Sequence, residues 1–293
     1  MRNLGKFFPP APGPGAPGDP GIFGPDSAAW RIGRERAILA GGPAALLLQV
    51  AHPLVAEGVR AHSDFAHDPL QRLRGTLDAV LTVSFGDQAQ VRAAAGYVAR
   101  RHRPVRGTLP GASASMPAGT PYSATDPDLA LWVFSTLVWA ALEVTDAFLR
   151  PVCTAERDEY YRDMTRMAHL FGVPPALLPA DYAGLSHYVD QQVRGTLDVG
   201  GAGRLIARQI LAPDPPIVAR PLRPLPSLLA AGILPPVLRE AYGLPWRRRE
   251  RVTFAVIRRL ARRAAPLLPG RIRYWPHYAV ARRRVPGRAG ALR

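Results

Sequence analysis

The sequence predicts an all-α protein, and two observations carry that prediction. Apolar residues recur at spacings of three and four along most of the chain, as they do on one face of a helix. Helix signals bound these segments, with aspartate and proline at the starts and glycine or proline at the ends. No segment alternates apolar and polar residues for long enough to predict a sheet. At 293 residues, the chain is long enough for a single large helical domain.

The elements follow from these signals in chain order. Residues 1–27 are rich in proline and glycine and lack apolar periodicity, which predicts a flexible arm. The helical pattern begins near Trp30, and Gly41-Gly42-Pro43 predicts a kink or two short helices. Further helices are predicted at residues 53–61, 69–85, 88–102, 128–150, 154–171, 182–193, 227–231, 236–242 and 248–265, with start signals at Asp68, Asp87, Asp126 and Asp181.

Three segments between the helices are interpreted as irregular. Residues 108–125 form a Gly/Ser/Pro-rich loop of a length typical of a lid or an entrance. The glycine cluster at residues 200–203 follows no strand, so a plain turn is favoured over a phosphate loop. The arginine-rich stretch from Arg271 to Gly287 is interpreted as a basic tail.

The net charge of +16 comes almost entirely from arginine, since Lys6 is the only lysine among 38 basic residues. This bias is typical of a GC-rich bacterial genome. No nucleic-acid motif accompanies the charge, so we expect no nucleic-acid partner. An anionic membrane surface remains open as a partner, through the amphipathic helix from Arg248 to Arg263.

Cysteine content and hydropathy bear on the compartment. Cys153 is the only cysteine, so no intrachain disulfide can form, which favours a reducing compartment such as the cytoplasm. The N-terminus lacks a charged region followed by an apolar region, so we expect no signal peptide. The longest apolar runs are shorter than a bilayer span, so we expect no transmembrane helix.

The stretch from Ala51 to Gly107 contains most of the residues that could support catalysis. Four of the seven histidines lie in it, namely His52, His62, His67 and His102. The separation of five between His62 and His67 does not match the spacing of metal ligands on one helix, so a non-haem metal site is disfavoured. A hydrolase is disfavoured too, because no serine lies in a GxSxG motif.

His102 could instead bind haem, because its helix presents a face of small residues and arginines surround it. A haem site needs one axial imidazole, apolar helix surfaces and cations for the propionates. Candidate cations are Arg72, Arg74, Arg101, Arg103 and Arg106. The alternative is that His102 is an ordinary surface residue at a helix end.

Several strings then show a resemblance. LLLQVAHPLVAEGVRAHSDFAHDPLQRLRGTLDAVLTVSFGD, RRHRPVRG, YSATDPDLALWVFSTLV and LFGVPPALLPADY occur in this order. Together they resemble the MpaB-type oxygenase family, which includes the latex-clearing rubber oxygenases and the endoplasmic-reticulum oxygenase of fungal mycophenolic acid synthesis. The resemblance is best over residues 28–215. The division it suggests is an arm at 1–27 and a catalytic domain at 28–293, with an arginine-rich helical part at 216–293.

The resemblance implies a globin-like core that holds haem b, and it assigns roles to particular residues. His102 would be the proximal iron ligand, and Arg72 and Thr76 would lie near the haem. Glu57 would be the acid/base carboxylate. Rubber oxygenases have a lysine before the threonine, where this chain has Gly75, so the distal side should be more open.

The function implied is a haem-dependent oxygenase that uses O2 to oxygenate or cleave a C=C bond in a hydrophobic substrate, with an isoprenoid as one candidate. The alternative is a non-catalytic helical protein that binds lipid or a partner at an anionic membrane surface. The apolar helices and the arginine-rich C-terminal part fit both hypotheses, and the context of His102 favours the enzyme.

Overall fold

The computed structural model describes residues 8–62, 69–211 and 223–285, and for residues 69–73 the backbone alone. This part of the chain is built from α-helices and one small two-stranded sheet, so the predicted all-α class is confirmed. The elements are α1 (Ala28–Gly33), α2 (Gly42–Ala51), α3 (Pro53–His62), α4 (Pro69–Phe85), α5 (Gln88–His102), β1 (Arg106–Thr108), β2 (Pro121–Ser123), α6 (Pro127–Val144), α7 (Thr154–Leu170), α8 (Tyr182–Gly195), α9 (Gly201–Leu211), α10 (Leu225–Ile233), α11 (Pro236–Ala241), α12 (Arg248–Ala264), α13 (Gly270–Arg273) and α14 (Pro276–Arg284).

Side-chain caps fix several helix starts where the sequence predicts them. Asp87 and Gln90 form a capping box at α5, in which each side chain accepts a hydrogen bond from the other residue's backbone N–H. Asp126 and Asp181 cap α6 and α8. The cap predicted at Asp68 lies outside the described residues. Because α5 begins at a fixed point, the position of its far end is fixed as well.

Helix α6 lies at the centre of the fold because it is apolar on all sides. It contacts α2, α7, α8 and α10, and Trp132, Val138 and Leu142 on it are fully buried. With the π-helical turn that continues it, α6 forms a segment of 23 residues, Pro127–Leu149, that is long and apolar enough to cross a membrane. One helical segment therefore reaches the length of a bilayer span, although no uninterrupted apolar run in the sequence does. Since 67% of its apolar window is buried inside the protein, the segment has the burial of a core helix.

The predicted break near Gly41 is confirmed. A 3-10 helix, Arg36–Gly41, precedes α2, and a Cβ at Gly41 would lie 2.6 Å from a methyl group of Val144. A second break follows at His52, where this helical segment and α3 meet at 102°. α3 is thereby turned away from α2 and towards β2, which it contacts.

Residues 108–125 are not simply a loop. β1 and β2 pair in an antiparallel hairpin, with Gly107 opposite Tyr122. The expectation that the chain contains no sheet was wrong at this place, because three-residue strands are too short to show an alternating pattern. The tip of the hairpin is tied to the segment between α8 and α9, since Asp198 accepts a hydrogen bond from the N–H of Ala114 at 2.7 Å.

The plain turn expected at residues 200–203 is wrong as well, because helix α9 begins there. Gly203 lies against α2: a Cβ built on Gly203 would be 2.7 Å from the carbonyl oxygen of Val50. The glycines therefore allow α9 to pack closely on α2, which it contacts together with α3.

The stretch expected as a basic tail contains two helices, α13 and α14. Arg284 at the end of α14 is buried and donates hydrogen bonds to the carbonyl oxygens of Asp19 (2.7 Å) and Phe85 (2.8 Å). Two hydrogen bonds join the described part of the arm to the end of α14 and the start of α5. The carboxylate of Asp87 accepts one from the N–H of Ala16, and the carbonyl oxygen of Arg284 accepts one from the N–H of Gly18. The arginine-rich stretch is thus part of the fold as far as it is described, to Val285.

Candidate active site

Helix α3 is attached to the segment that follows His102. Gly58 lies on its contact face, where a Cβ would be 3.6 Å from both Val105 and Tyr122. At its C-terminal end, the Nε2 atom of His62 is 3.1 Å from the carbonyl oxygen of Arg106. Helix α3 therefore contacts the segment that directly follows His102 and the end of α5.

Glu57 is buried in the middle of α3 and has one dominant partner. Arg60 donates from Nε to Oε2 at 2.8 Å and from Nη2 to Oε1 at 2.6 Å. This bidentate pairing fixes the orientation of the carboxylate and raises the pKa of Arg60. Both carboxylate oxygens of Glu57 are thus engaged in this structure.

Tyr122 completes the cluster from the hairpin. Its ring is buried, and burial together with the charge of Glu57 raises the pKa of its hydroxyl. Across the hairpin lies Gly107, the glycine of RRHRPVRG, where a Cβ would come within 2.7 Å of that hydroxyl oxygen. Gly107 is therefore needed for Tyr122 to fit. Tyr122 and Arg60 carry no functional signal in the sequence, because their link to Glu57 becomes visible only when α3 and the hairpin meet.

Helices α4 and α5 form the other side of the candidate site. They are joined at Gly86 and Asp87 and pack along each other, so they run antiparallel. Residues at similar distances from this link lie side by side, which brings the first half of α4, with Arg72 and Thr76, beside the half of α5 that ends at His102. The side chain of Arg72 lies outside the described residues.

Thr76 and His102 are both exposed. Each makes an interaction with another part of the chain, so neither is a free surface group. At Gly75, which directly precedes Thr76, a Cβ would meet none of the described residues within 4 Å. Among the described residues, the space beside Gly75 is therefore open.

The remaining histidines of this region do not gather into a metal site. His52 is buried at the α2–α3 bend, where burial lowers its pKa to about 4 although Asp126 opposes the shift. His62 is at the far end of α3, and His67 lies outside the described residues. Over the described ranges, no cluster of three or more histidine, cysteine, aspartate or glutamate side chains is placed to bind a metal ion.

Comparison with known proteins identifies the domain. A family model described as "ER-bound oxygenase mpaB/B'/Rubber oxygenase, catalytic domain" matches residues 30–263. The chain belongs to this family. No curated protein and no solved structure matches the chain, so the globin-like arrangement of the core stays a prediction.

Membership of the mpaB/rubber oxygenase family makes the chain an oxygenase catalytic domain, and thus an oxidoreductase that acts on a small molecule with O2. The matched region extends past the resemblance at residues 28–215 and includes nearly all of α12. The C-terminal helices up to that point are therefore part of the catalytic domain.

The donor set at the end of α5 fits a haem group of the kind expected in this family. A single imidazole suffices as the axial protein ligand, and His102 exposes one. Arg100, Arg101 and Arg103 around it are exposed cations that can pair with propionates.

Two small cavities lie elsewhere in the described part of the protein. One, of about 140 Å³, is lined by α7 and the turn before α8, and the other, of about 320 Å³, lies between the arm and α14. None of Glu57, Thr76 and His102 lines either cavity.

Proposed function

We propose that the protein is a haem b-dependent oxygenase that acts on a hydrophobic substrate, with an isoprenoid as the first candidate. The observation that supports this most is the family match over residues 30–263. A second supporting observation is the exposed imidazole of His102, which lies among arginines at the end of a capped helix. Haem, when bound, would supply the iron at which O2 is activated for attack on a C=C bond.

The chain's own residues would bind and orient the cofactor. His102 would be the axial ligand through its ring nitrogen. Arg72 would pair with a propionate or a nearby polar group, and Thr76 would donate a hydrogen bond at the haem edge. Helices α4 and α5 would keep water away from the substrate, which limits side reactions.

Glu57 is the candidate acid/base group in this proposal. Its carboxylate accepts two hydrogen bonds from Arg60, which fix its orientation, and each oxygen keeps a further lone pair for a substrate contact. Tyr122 would keep its hydroxyl proton at neutral pH, because its pKa is raised. Arg60 and Tyr122 would then act as positioning residues for Glu57.

Haem binding by the His102→Ala variant tests the assignment. We expect purified wild-type protein to show a Soret band, directly or after reconstitution with haem, and the variant to lose it. The loss should exceed the about tenfold cost typical of changing an outer-shell group at a metal site. His187→Ala is the matched control, because His187 is exposed on α8 away from the candidate site.

Two results would contradict the proposal. One is a wild-type protein without a Soret band after reconstitution, which would favour the non-catalytic lipid- or partner-binding alternative. The other is a His102→Ala variant that retains haem as the control does, which would move the ligand to another residue.

We also propose a cytoplasmic location. The support is the single cysteine, Cys153, which is free and exposed in the structure. An exposed free thiol is typical of proteins in a reducing compartment.

A further inference from the structure

Helix α12 is firmly attached to the protein by one face. On that face Phe254 is buried, with ring centroids 5.5 Å from those of Phe148 and Trp246. Arg262 donates a hydrogen bond to the carbonyl oxygen of Ala147 at 3.0 Å. The helix is therefore held in one orientation, and its opposite face points to solvent.

That opposite face carries an apolar stripe. Val252, Val256 and Leu260 follow one another at intervals of four, and their exposed fractions are 55%, 50% and 59%. Ile257, next to Val256 in the chain, instead packs inward against the cluster around Phe254. The helix is thus apolar on both faces.

The stripe continues beyond the helix. Leu267 is 83% exposed, Leu268 is 42% exposed, and Ile272 on α13 is 54% exposed. Ten large hydrophobic residues are exposed in the described ranges, and six of them lie between residues 252 and 272. Such a concentration marks an interaction surface, whereas single exposed apolar residues are ordinary.

Arginines surround this stripe. Glu250 is the only acidic residue of α12, and it accepts a hydrogen bond from the N–H of Arg247 at the start of the helix. The exposed basic residues of the helix are Arg248, Arg249, Arg251, Arg258, Arg259 and Arg263. None of these six forms an ion pair with a residue that the structure describes. The surface therefore combines exposed apolar side chains with uncompensated positive charge.

We propose that this surface, formed by α12 and residues 265–273, docks the protein on an anionic lipid bilayer. Apolar residues flanked by arginines match the boundary between acyl chains and negative headgroups. A second copy of the chain would bring the same arginines together, and their repulsion disfavours a symmetric dimer. A nucleic acid would neutralise the arginines but leave the apolar stripe in water. The bilayer satisfies both features of the surface.

The docking helix is already folded and fixed in the protein. Binding therefore does not require a disordered segment to fold, which removes a cost that coupled folding would add. The axis of α12 would lie in the plane of the interface, with Val252, Val256 and Leu260 directed into the lipid. This proposal is independent of haem binding.

Co-sedimentation of the full-length protein with lipid vesicles tests the proposal. One set of vesicles is pure phosphatidylcholine, and the other contains about one third phosphatidylserine. We expect binding to the anionic vesicles only, and we expect it to weaken as salt is raised from 50 to 500 mM, because screening reduces the attraction.

Two triple variants separate the apolar and the basic contributions. Val252→Gln/Val256→Gln/Leu260→Gln and Arg251→Gln/Arg258→Gln/Arg259→Gln should each weaken partitioning by at least about tenfold. All six side chains are exposed and glutamine is a good helix former, so both variants should fold. Circular dichroism and the Soret band of each variant check this point independently.

Matched controls come from helices α8 and α9, which are not part of this surface. Arg194→Gln/Arg204→Gln/Arg208→Gln removes the same charge from α8 and α9, and Leu205→Gln removes an exposed leucine there. Both controls should bind vesicles as the wild type does.

Several outcomes would overturn the proposal. One is that the wild-type protein does not bind anionic vesicles. Another is that the arginine control on α8 and α9 loses as much binding as the arginine variant of α12. The third is that the apolar variant of α12 binds as the wild type does. A dimer in analytical ultracentrifugation that the apolar variant abolishes would assign the surface to a second copy instead.

Discussion

At the residue scale, the most informative feature of the candidate site is the pairing of Glu57 with Arg60. Glu57 is 5% exposed, and a buried carboxylate is costly unless it is paired and hydrogen-bonded. The two hydrogen bonds from Arg60 satisfy both oxygens in a planar arrangement that a lysine could not reproduce. Arg60 is therefore as much a part of the site as Glu57 is.

We expect Arg60→Ala to destabilise the fold by about 1 to 3 kcal/mol at pH 7. Loss of one partner from a buried pair costs about 3 to 5 kcal/mol, and the half-exposed position of Arg60 reduces that figure. Denaturation in guanidinium chloride measures the change. The double variant Glu57→Gln/Arg60→Ala should recover part of the loss, because it removes the unpaired charge. A double variant no more stable than the single one would show that the buried charge is not the cause.

At the element scale, the position of α12 depends on a close contact with α10. A Cβ at Gly232 would lie 2.1 Å from the ring of Phe254, so only glycine allows the two helices to approach in this way. The contact explains how an arginine-rich helix with an exposed outer face stays on the protein. It also fixes which face of α12 points to solvent.

Gly232→Ala should therefore destabilise the protein by about 1 to 3 kcal/mol, which is the usual cost of overpacking. Thermal denaturation followed by circular dichroism measures the effect. Gly195→Ala at the end of α8 is the control, because a Cβ there would meet nothing within 4 Å, and it should be neutral or slightly stabilising. Equal stability of the two variants would rule out the tight α10–α12 contact.

At the scale of the whole molecule, two buried histidines make the fold sensitive to acid. His52 and His277 lie far apart in the chain, and burial lowers the pKa of each to about 4. Both ring nitrogens of His277, Nδ1 and Nε2, lack a hydrogen-bond partner among the described residues. The Nδ1 atom of His52 lacks one as well. Both side chains are therefore neutral in the fold, whereas in the unfolded chain they take up protons near pH 6.5.

The stability of the fold should consequently fall as the pH drops from about 6.5 towards 4. The unfolded state binds more protons in this window, so acid favours unfolding. Each histidine should contribute a loss of about 2 kcal/mol between pH 7 and pH 5. Denaturation at the two pH values measures it, and His277→Leu should remove about half of the difference. His187→Leu, on the exposed face of α8, should leave the difference unchanged. An undiminished pH effect in His277→Leu would contradict this assignment.

Much of the helical framework could be predicted from the sequence. The caps at Asp87, Asp126 and Asp181 were predicted because a cap is a local signal, made by a residue and its neighbours within three positions. The helix predicted at residues 128–150 is present as α6 and the π-helical turn that continues it. The family followed from several strings that occur in order, and the match over residues 30–263 confirms it.

The tertiary structure alone decided how these parts meet. It paired Glu57 with Arg60, set Tyr122 against Gly107, and turned Val252 outward while Ile257 packs inward. The hairpin at residues 106–123 escaped prediction because its strands are too short to show a pattern. The sequence by itself thus determined the class, the family and most helix starts, since these depend on local signals. Which face of a helix is buried depends on contacts between residues distant in the chain, and periodicity cannot choose between two apolar faces.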